Sequence, residues 1–280
     1  MHPGGGGVNV SRAIHALGGK SRPLLAYGGH NGEILIDLLK KEGLDPVPLG
    51  VSHPTRESFT VRDEANGLQY RFMMPGPAWT PGDVAIARAT ITRSITPGAL
   101  VIPSGSLPPG VETDFFVNLN PDVRANGGRM ILDTSGPALR HASKTRLGLF
   151  VLRMDLSEAR ELSGAHLTQV EDVANLATRL RQECGAEIVL IAAGGQGTVI
   201  ACENWRGLTR PPPVMPVSKV GAGDSFIGAF ALSITRGEDP LTACAWGTAA
   251  ATSAVTTEGT ALCVRADTER FFQLVTRTEI

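Results

Sequence analysis

Lys219-Val-Gly-Ala-Gly-Asp-Ser225 is followed directly by the apolar run Phe226-Ile-Gly-Ala-Phe-Ala-Leu232, and together they predict a helix that begins within a glycine-rich stretch. The first N–H groups of a helix have no intrahelical acceptor, and with the helix dipole they attract anions. A carboxylate at Asp224 would repel a bound anion unless it has a task such as accepting a proton. The stretch therefore predicts an anion site with a base beside it; the alternative is that Asp224 only caps the helix.

The chain begins with a second glycine-rich stretch. Gly4–Gly7 are four consecutive glycines, and they run into a helix whose apolar residues Val10, Ile14 and Leu17 have helical spacing. Four glycines lose much backbone entropy on folding, so they indicate close approach of a ligand rather than a purely structural role. A flexible amino-terminal tail is the alternative. Two such stretches at opposite ends of the chain predict one pocket with two ligands.

The composition excludes some classes of protein. The chain has 280 residues, of which 42% are hydrophobic and 19% charged, so one large α/β domain with a sizeable core is expected. A net charge of −1 gives no reason to expect nucleic acid or an anionic membrane as a partner. Neither a membrane span nor a secretion signal is predicted. The 4 cysteines have no CxxC spacing, which favours a reduced, cytoplasmic protein.

Strand and helix signals alternate along the chain, which predicts a parallel sheet covered by helices. We expect strands at 23–27, 100–103, 130–133, 149–153 and 187–192, and helices at 32–42, 113–126, 170–184 and, with breaks, 225–274. Residues 59–73 differ, because they alternate and contain Asn66-Gly67, a strong hairpin signal. The sequence thus predicts a single domain over residues 1–280, with a hairpin inserted at about residues 56–75.

The motifs taken together resemble one family. Besides the two glycine-rich stretches, they are Tyr70-Arg-Phe-Met-Met-Pro-Gly76, Pro103-Ser-Gly-Ser-Leu-Pro-Pro-Gly110, Leu132-Asp-Thr-Ser-Gly-Pro-Ala138 and Glu258-Gly-Thr260. They are similar to the ribokinase-like PfkB carbohydrate kinases, and within them to the minor-type 6-phosphofructokinases and tagatose-6-phosphate kinases. The resemblance covers essentially the whole chain. It implies an α/β, ribokinase-like fold with a mostly parallel central sheet flanked by helices and a small β lid over the sugar.

The resemblance assigns roles for phosphoryl transfer. Asp224 is expected to be the general base that takes the proton of a sugar hydroxyl, and the backbone around Gly221, Ala222 and Gly223 to bind the transferred phosphoryl oxygens.

The sugar phosphate is expected at the glycine loop, on Gly5, Gly6, Gly7 and Asn9. Arg56 is expected to bind the substrate phosphate, with an ordinary solvated arginine as the alternative. Ser104 and Ser106 follow a strand end, where ligands of open α/β sheets bind.

The nucleotide side is expected at the glycine turn Gly194, Gly195 and Gly197, which follows a predicted strand. Arg153-Met-Asp155-Leu-Ser-Glu158 stands where the family usually has Lys-Pro-Asn-x-x-Glu. Arg153 is therefore expected at the nucleotide phosphates. Asp155 and Glu158 are expected at Mg²⁺, because that ion prefers hard oxygen ligands.

The function implied is an ATP- and Mg²⁺-dependent kinase that phosphorylates fructose 6-phosphate at its 1-hydroxyl group. Tagatose 6-phosphate and fructose 1-phosphate remain possible substrates. A second class of function, a sugar-phosphate or nucleotide binding protein without turnover, is motivated by the altered Asp155 motif and by the few residues before the glycine loop. There the relatives carry a core strand, part of the lid and a sugar-contacting aspartate. Pairing of the lids in relatives implies a homodimer, and a cytoplasmic location is expected.

Overall fold

The computed structural model describes residues 2–62 and 69–280. The helices described are α1 Gly6–Ala16, α2 Gly29–Lys41, α3 Pro81–Ser94, α4 Phe115–Ala125, α5 Gly136–Lys144, α6 Leu156–Ser163, α7 Val170–Cys184, α8 Ala222–Thr235, α9 Pro240–Val255 and α10 Arg265–Phe272. The strands are β1 Leu24–Tyr27, β2 Val47–Gly50, β3 Ser58–Arg62, β4 Gln69–Met73, β5 Leu100–Val101, β6 Arg129–Asp133, β7 Val151–Asp155, β8 Ile188–Ala192, β9 Thr198–Ala201, β10 Arg206–Arg210 and β11 Thr276–Glu279.

Seven strands form the central sheet, in the order β11-β10-β9-β8-β7-β6-β5. Pairing is parallel from β5 to β8 and antiparallel from β8 to β11. This confirms the expected α/β fold built on a parallel sheet with helices around it. The sequence pattern missed the antiparallel strands, and for β11 the reason is plain: all four of its residues are exposed, so no apolar alternation marks it. A separate parallel pair joins β1 to β2.

Helices cover both faces of the central sheet. Met130 and Leu132 of β6 pack with α4, α5 and α7, whereas Ile131 between them packs with α1, α8 and α9. Strands that are covered on both faces read as continuous apolar runs, and β8 is such a run, Ile-Val-Leu-Ile-Ala. The predicted helix at residues 170–184 matches α7 at both ends. No helix in the part of the chain that the structure describes is long and apolar enough to cross a membrane.

The strands β3 and β4 pair antiparallel where a hairpin was expected, with Ser58 opposite Met73 and Arg62 opposite Gln69. The expected Asn66-Gly67 turn lies outside the described residues.

The packing of α1 against α8 positions the site. Val10 and Ile14 of α1 lie in one buried cluster with Phe226 and Phe230 of α8. A Cβ atom on Gly228 would stand 3.0 Å from the Cβ of Ala13, so the two helices approach closely because this residue is glycine. The amino-terminal turn of α1 therefore lies beside that of α8.

Candidate active site

Asp224 and Asn9 meet at the amino-terminal turns of α8 and α1. The Asn9 side-chain Nδ2 donates a hydrogen bond of 2.9 Å to Asp224 Oδ2, although the two residues are 215 positions apart. The first N–H groups of both helices therefore face the same region. The two glycine-rich stretches lie together in the fold.

Asp224 is not the cap of its helix. The cap position is Gly221, whose φ of 75° is the left-handed conformation that glycine adopts without strain. A Cβ at Gly221 would also stand 2.4 Å from the Leu262 side chain. Asp224 is the third residue of α8, and its carboxylate accepts from Asn9. The alternative that it merely caps the helix is therefore wrong.

The surroundings of Asp224 make it a stronger base than an ordinary aspartate. Burial raises the pKa of Asp224 to about 6, and the nearby Asp133 carboxylate also raises it. Hydrogen bonds from Asn9 and Ser104 and the positive charge of Arg153 lower the pKa in opposition. A carboxylate with a pKa of about 6 is still mostly ionised at pH 7, and it accepts a proton more readily than one with a pKa near 4.

Ser104 and Asp133 lie just beyond β5 and at the end of β6, at the carboxyl ends of two parallel strands. The Ser104 hydroxyl donates to Asp133 Oδ2 at 3.2 Å, and the two residues form a parallel β-bridge. A Cβ atom on Gly6 would stand only 2.6 Å from Ser104 Oγ. Gly6 is therefore glycine because it packs on this loop, whereas Cβ atoms on Gly5 and Gly7 would meet nothing within 4 Å.

Asp133 is a site residue to which the sequence reasoning gave no role. Its carboxylate contacts Ser104 and also accepts from Arg153 NH1 at 2.9 Å. The signal was present, because a carboxylate directly follows the buried run Met130-Ile-Leu132 at the end of a predicted strand.

Arg153, on β7, lies between Asp133 and α8. The side chains of Arg153 and Asp133 are 12% and 11% exposed, so the ion pair is nearly buried. A Cβ atom on Gly223 would stand 3.0 Å from Arg153 NH2. The guanidinium group therefore lies directly against the first turn of α8.

Asp155 and Glu158 form a capping box at the start of α6. The Asp155 N–H donates to Glu158 Oε2 and the Glu158 N–H donates to Asp155 Oδ1, each at 2.8 Å. Burial raises the pKa of Glu158. Each carboxylate keeps one oxygen outside the capping box. Over residues 2–62 and 69–280, no cluster of three acidic, histidine or cysteine side chains is placed to hold a metal ion. This donor set fits Mg²⁺ bound mostly through water and phosphate oxygens.

The glycine turn after β8 divides into two parts. Gly194 and Gly195 belong to a short 3-10 helix, are exposed, and have open space at their Cβ positions. Gly197 is buried, has a φ of 108°, and a Cβ there would stand 2.2 Å from the Thr209 carbonyl oxygen. Its glycine is required by the β9–β10 packing, so only the first two are open to a ligand.

Arg56 and Ser106 are both exposed. Arg56 NH1 donates to the Met74 carbonyl at 3.2 Å, which links the two ends of the hairpin. Among the hydrogen bonds of the described residues, none joins Arg56 or Ser106 to Asp224. Their expected roles at the sugar phosphate remain predictions.

The loop after α9 supports the start of α8. Ser218 Oγ donates to the Gly259 carbonyl at 2.8 Å, and the Cys263 N–H donates to Ser225 Oγ at 3.3 Å. The sequence marked this loop only through the Glu258-Gly-Thr260 motif.

Known proteins are similar to this chain in both sequence and fold. The sequence model described as "pfkB family carbohydrate kinase" matches residues 1–267. The chain is 37% identical over 272 residues to the ATP-dependent 6-phosphofructokinase isozyme 2 of Mycobacterium tuberculosis H37Rv, covering 97% of this chain and 79% of that relative. It is 35% identical over 278 residues to the Escherichia coli K12 isozyme 2, covering 99% and 89%.

A solved structure extends this agreement to three dimensions. The crystal structure of phosphofructokinase-2 from Escherichia coli in complex with fructose-6-phosphate superposes with a TM-score of 0.89 at 33% identity, covering 98% of this chain and 88% of the other. The sequence match spans nearly the whole chain and the fold agrees over the same length. The chain therefore belongs to the pfkB family of carbohydrate kinases.

Proposed function

We propose that this chain is an ATP-dependent kinase that phosphorylates fructose 6-phosphate at its 1-hydroxyl group, giving fructose 1,6-bisphosphate and ADP. The observation that carries the proposal is the placement of Asp224, a carboxylate with a pKa raised to about 6 in the first turn of α8, hydrogen-bonded to Asn9. Two relatives that are ATP-dependent 6-phosphofructokinases support the choice of substrate. A cytoplasmic location is the one we expect for an enzyme of free sugar phosphates.

Asp224 is the proposed general base. Phosphoryl transfer needs alignment of the reactants, neutralisation of charge and a proton acceptor. With a pKa of about 6, roughly nine in ten Asp224 carboxylates are ionised at pH 7. Asp224 accepts the hydroxyl proton as the sugar oxygen attacks phosphorus, because the forming O–P bond makes that proton acidic, and its raised pKa makes it a better acceptor than an ordinary carboxylate.

The first turn of α8 is the proposed anion site. The N–H groups of Ala222 and Gly223 have no acceptor within the helix, because they belong to its first turn. They and the positive end of the helix dipole stabilise the negative charge that develops on the phosphoryl oxygens. Gly223 has no side chain, and the space that its Cβ would take lies against the Arg153 guanidinium group.

The sugar phosphate is assigned to the loop before and at the start of α1. Asn9 donates to Asp224 through its Nδ2, and we expect it also to contact a sugar hydroxyl beside that carboxylate. Open space at Gly5 and Gly7 leaves the loop backbone accessible to the sugar. Arg56, at the base of the hairpin, is the proposed ligand of the substrate phosphate, since guanidinium can offer two parallel donors to phosphate.

The nucleotide is assigned to the exposed turn at Gly194 and Gly195, where the backbone is open. The oxygens of Asp155 and Glu158 that lie outside the capping box are the proposed contacts to the hydration shell of Mg²⁺. When bound, Mg²⁺ would neutralise charge on the phosphates.

We infer that the protein is a homodimer formed through the hairpin. Phe59 pairs with Phe72 and Val61 with Tyr70, so the four side chains share one face of β3 and β4. Their exposed fractions lie between 47% and 55%, a half-exposed apolar surface. A second copy presents the same surface, so one two-fold contact would cover both.

Coupled ADP release from the purified chain with Mg-ATP tests the proposal. Fructose 6-phosphate, tagatose 6-phosphate and fructose 1-phosphate are run side by side, with Asp224→Asn as the variant. Asp239→Asn is the matched control, because Asp239 caps α9 through Leu241 and Thr242, outside the site, and asparagine is an equally good cap. We expect turnover on fructose 6-phosphate that Asp224→Asn abolishes and Asp239→Asn retains.

Two other outcomes would overturn parts of the proposal. Turnover on another sugar alone would reject the substrate and keep the kinase. No turnover on any of the three, with ATP binding still measurable by calorimetry, would favour the binding protein that the sequence left open.

A further inference from the structure

A nearly buried ion pair lies directly under the first turn of α8. Arg153 NH1 donates to Asp133 Oδ1 at 2.9 Å, and both side chains are about one-tenth exposed. On its other side, the guanidinium group lies 3.0 to 3.3 Å from where a Cβ on Gly223 would be. Arg153 therefore separates the end of β6 from the turn that carries Asp224.

The shape of the arginine side chain explains how it contacts both neighbours. Its planar guanidinium group has donors along two edges, whereas a lysine ammonium group is a compact point charge. Gly223 permits the contact, since a Cβ there would stand 3.0 and 3.1 Å from the two guanidinium nitrogens and would require Arg153 to shift. A buried ion pair stabilises little by itself, but removing one partner leaves an uncompensated charge. Removing Arg153 or Asp133 alone should therefore lower the free energy of unfolding by more than the intact ion pair contributes to it.

We propose that Arg153 is a positioning residue of the phosphoryl-transfer site: paired with Asp133, it sets where the first turn of α8 lies, and so where the anion-binding N–H groups and Asp224 lie. This inference rests on the proposed kinase function. It differs from the expectation that Arg153 is chiefly a ligand of the nucleotide, which would place its effect in the KM for ATP.

The charges around Asp224 supply an independent readout. Of the residues that the structure describes, two charged side chains act on it, Asp133 from β6 and Arg153 from β7, and they shift its pKa in opposite directions. Replacing Arg153 by methionine should raise the pKa of Asp224, and replacing Asp133 by asparagine should lower it. Arg153→Lys keeps the positive charge but not the planar guanidinium group with donors along two edges. It should therefore leave the pKa of Asp224 near the wild-type value and still reduce kcat.

The experiment combines steady-state kinetics with titration of the Asp224 carboxyl ¹³C resonance in the free protein, assigned by its loss in Asp224→Asn. We expect Arg153→Met and Arg153→Lys to lower kcat at least tenfold while the KM for ATP changes less than about threefold, the pattern of a lost transition-state interaction. Arg88→Met is the matched control, because Arg88 pairs with Asp122 on exposed surface.

The double variant Arg153→Met/Asp133→Asn guards against misfolding, since it leaves no buried charge unpaired. It should fold, titrate nearer to the wild type than either single variant, and remain impaired in kcat. A raised KM for ATP with kcat intact, or Asp224 midpoints that do not move in opposite directions in the single variants, would overturn the inference. If the wild type itself shows no ADP release, the proposed function fails, while the titration still tests the arrangement.

Discussion

Replacing Asp224 by asparagine should make the folded chain more stable at neutral pH while it removes turnover. Burial raises the pKa of Asp224 from 3.8 to about 6, so the ionised carboxylate is disfavoured in the folded state. At about 1.4 kcal/mol per pKa unit, ionised Asp224 destabilises the folded chain by about 3 kcal/mol relative to its neutral form. Asparagine is neutral at every pH and its side-chain oxygen can still accept from Asn9.

The sign of the pH dependence follows from the raised pKa. The folded chain binds the Asp224 proton more tightly than the unfolded chain does. The free energy of unfolding of the wild type is therefore unaffected by Asp224 below about pH 4, and it decreases as the pH rises through about 6. The advantage of Asp224→Asn over the wild type should therefore be about 3 kcal/mol at pH 7 and about 1.5 kcal/mol at pH 5.

Urea unfolding of the two proteins at pH 5 and pH 7 measures the difference, and at pH 7 the melting temperature should rise by roughly 6 °C. Asp239→Asn is again the control, and because the pKa of Asp239 is lowered in the folded chain, it should give no stabilisation. The reasoning would be refuted if Asp224→Asn were no more stable than the wild type at pH 7, or if the gain in its free energy of unfolding did not depend on pH. Either result would mean that burial does not raise the pKa of Asp224. The kcat of Asp224→Asn should be lower than that of the wild type by a factor of about 10² to 10⁴, the usual contribution of a general base.

In the wild type, kcat should fall about tenfold between pH 7 and pH 5 as Asp224 is protonated; a flat profile would argue against this base. Asn9→Ala removes a hydrogen bond that lowers the pKa of Asp224, so its acid limb should move to higher pH, as a pH–rate series on the variant would show. Gly197→Ala should lower the free energy of unfolding by more than about 2 kcal/mol, through backbone strain and collision with the Thr209 carbonyl group. Gly195→Ala should leave the free energy of unfolding unchanged and raise the KM for ATP. Equal urea midpoints for the two variants would contradict the different roles given to these glycines. Phe72→Ser should shift the protein from dimer to monomer in light scattering, and an unchanged mass would exclude the hairpin contact.

Several features could be predicted from the sequence because they depend on local chemistry. The glycine stretch and apolar run at residues 219–232 predicted a helix start, and α8 begins at Ala222. The 170–184 helix was placed at both ends because its periodicity is long and Gly185 terminates it in the left-handed conformation. The antiparallel strands β9, β10 and β11 at one side of the sheet were missed, and β11 carries no apolar alternation because all four of its residues are exposed.

The roles of individual glycines could not be separated by sequence alone. Gly6 and Gly197 belong to glycine-rich motifs, yet both are glycine because of protein neighbours, Ser104 and Thr209 respectively. Gly195, two residues before Gly197 in the same motif, has open space at its Cβ position. A motif shows that small residues are needed, but only packing shows whether the space is taken by the protein or left for a ligand.

The sequence by itself determined the family, the α/β fold and the glycine-rich helix start that carries Asp224, because these follow from local patterns and from motifs read in order along the chain. Only the tertiary structure decided the surroundings of Asp224. Asn9 reaches Asp224 because α1 packs on α8 across 215 positions, and Arg153 pairs with Asp133 because β6 and β7 are neighbours in the sheet. Such contacts depend on how elements pack against one another, and no local pattern encodes them.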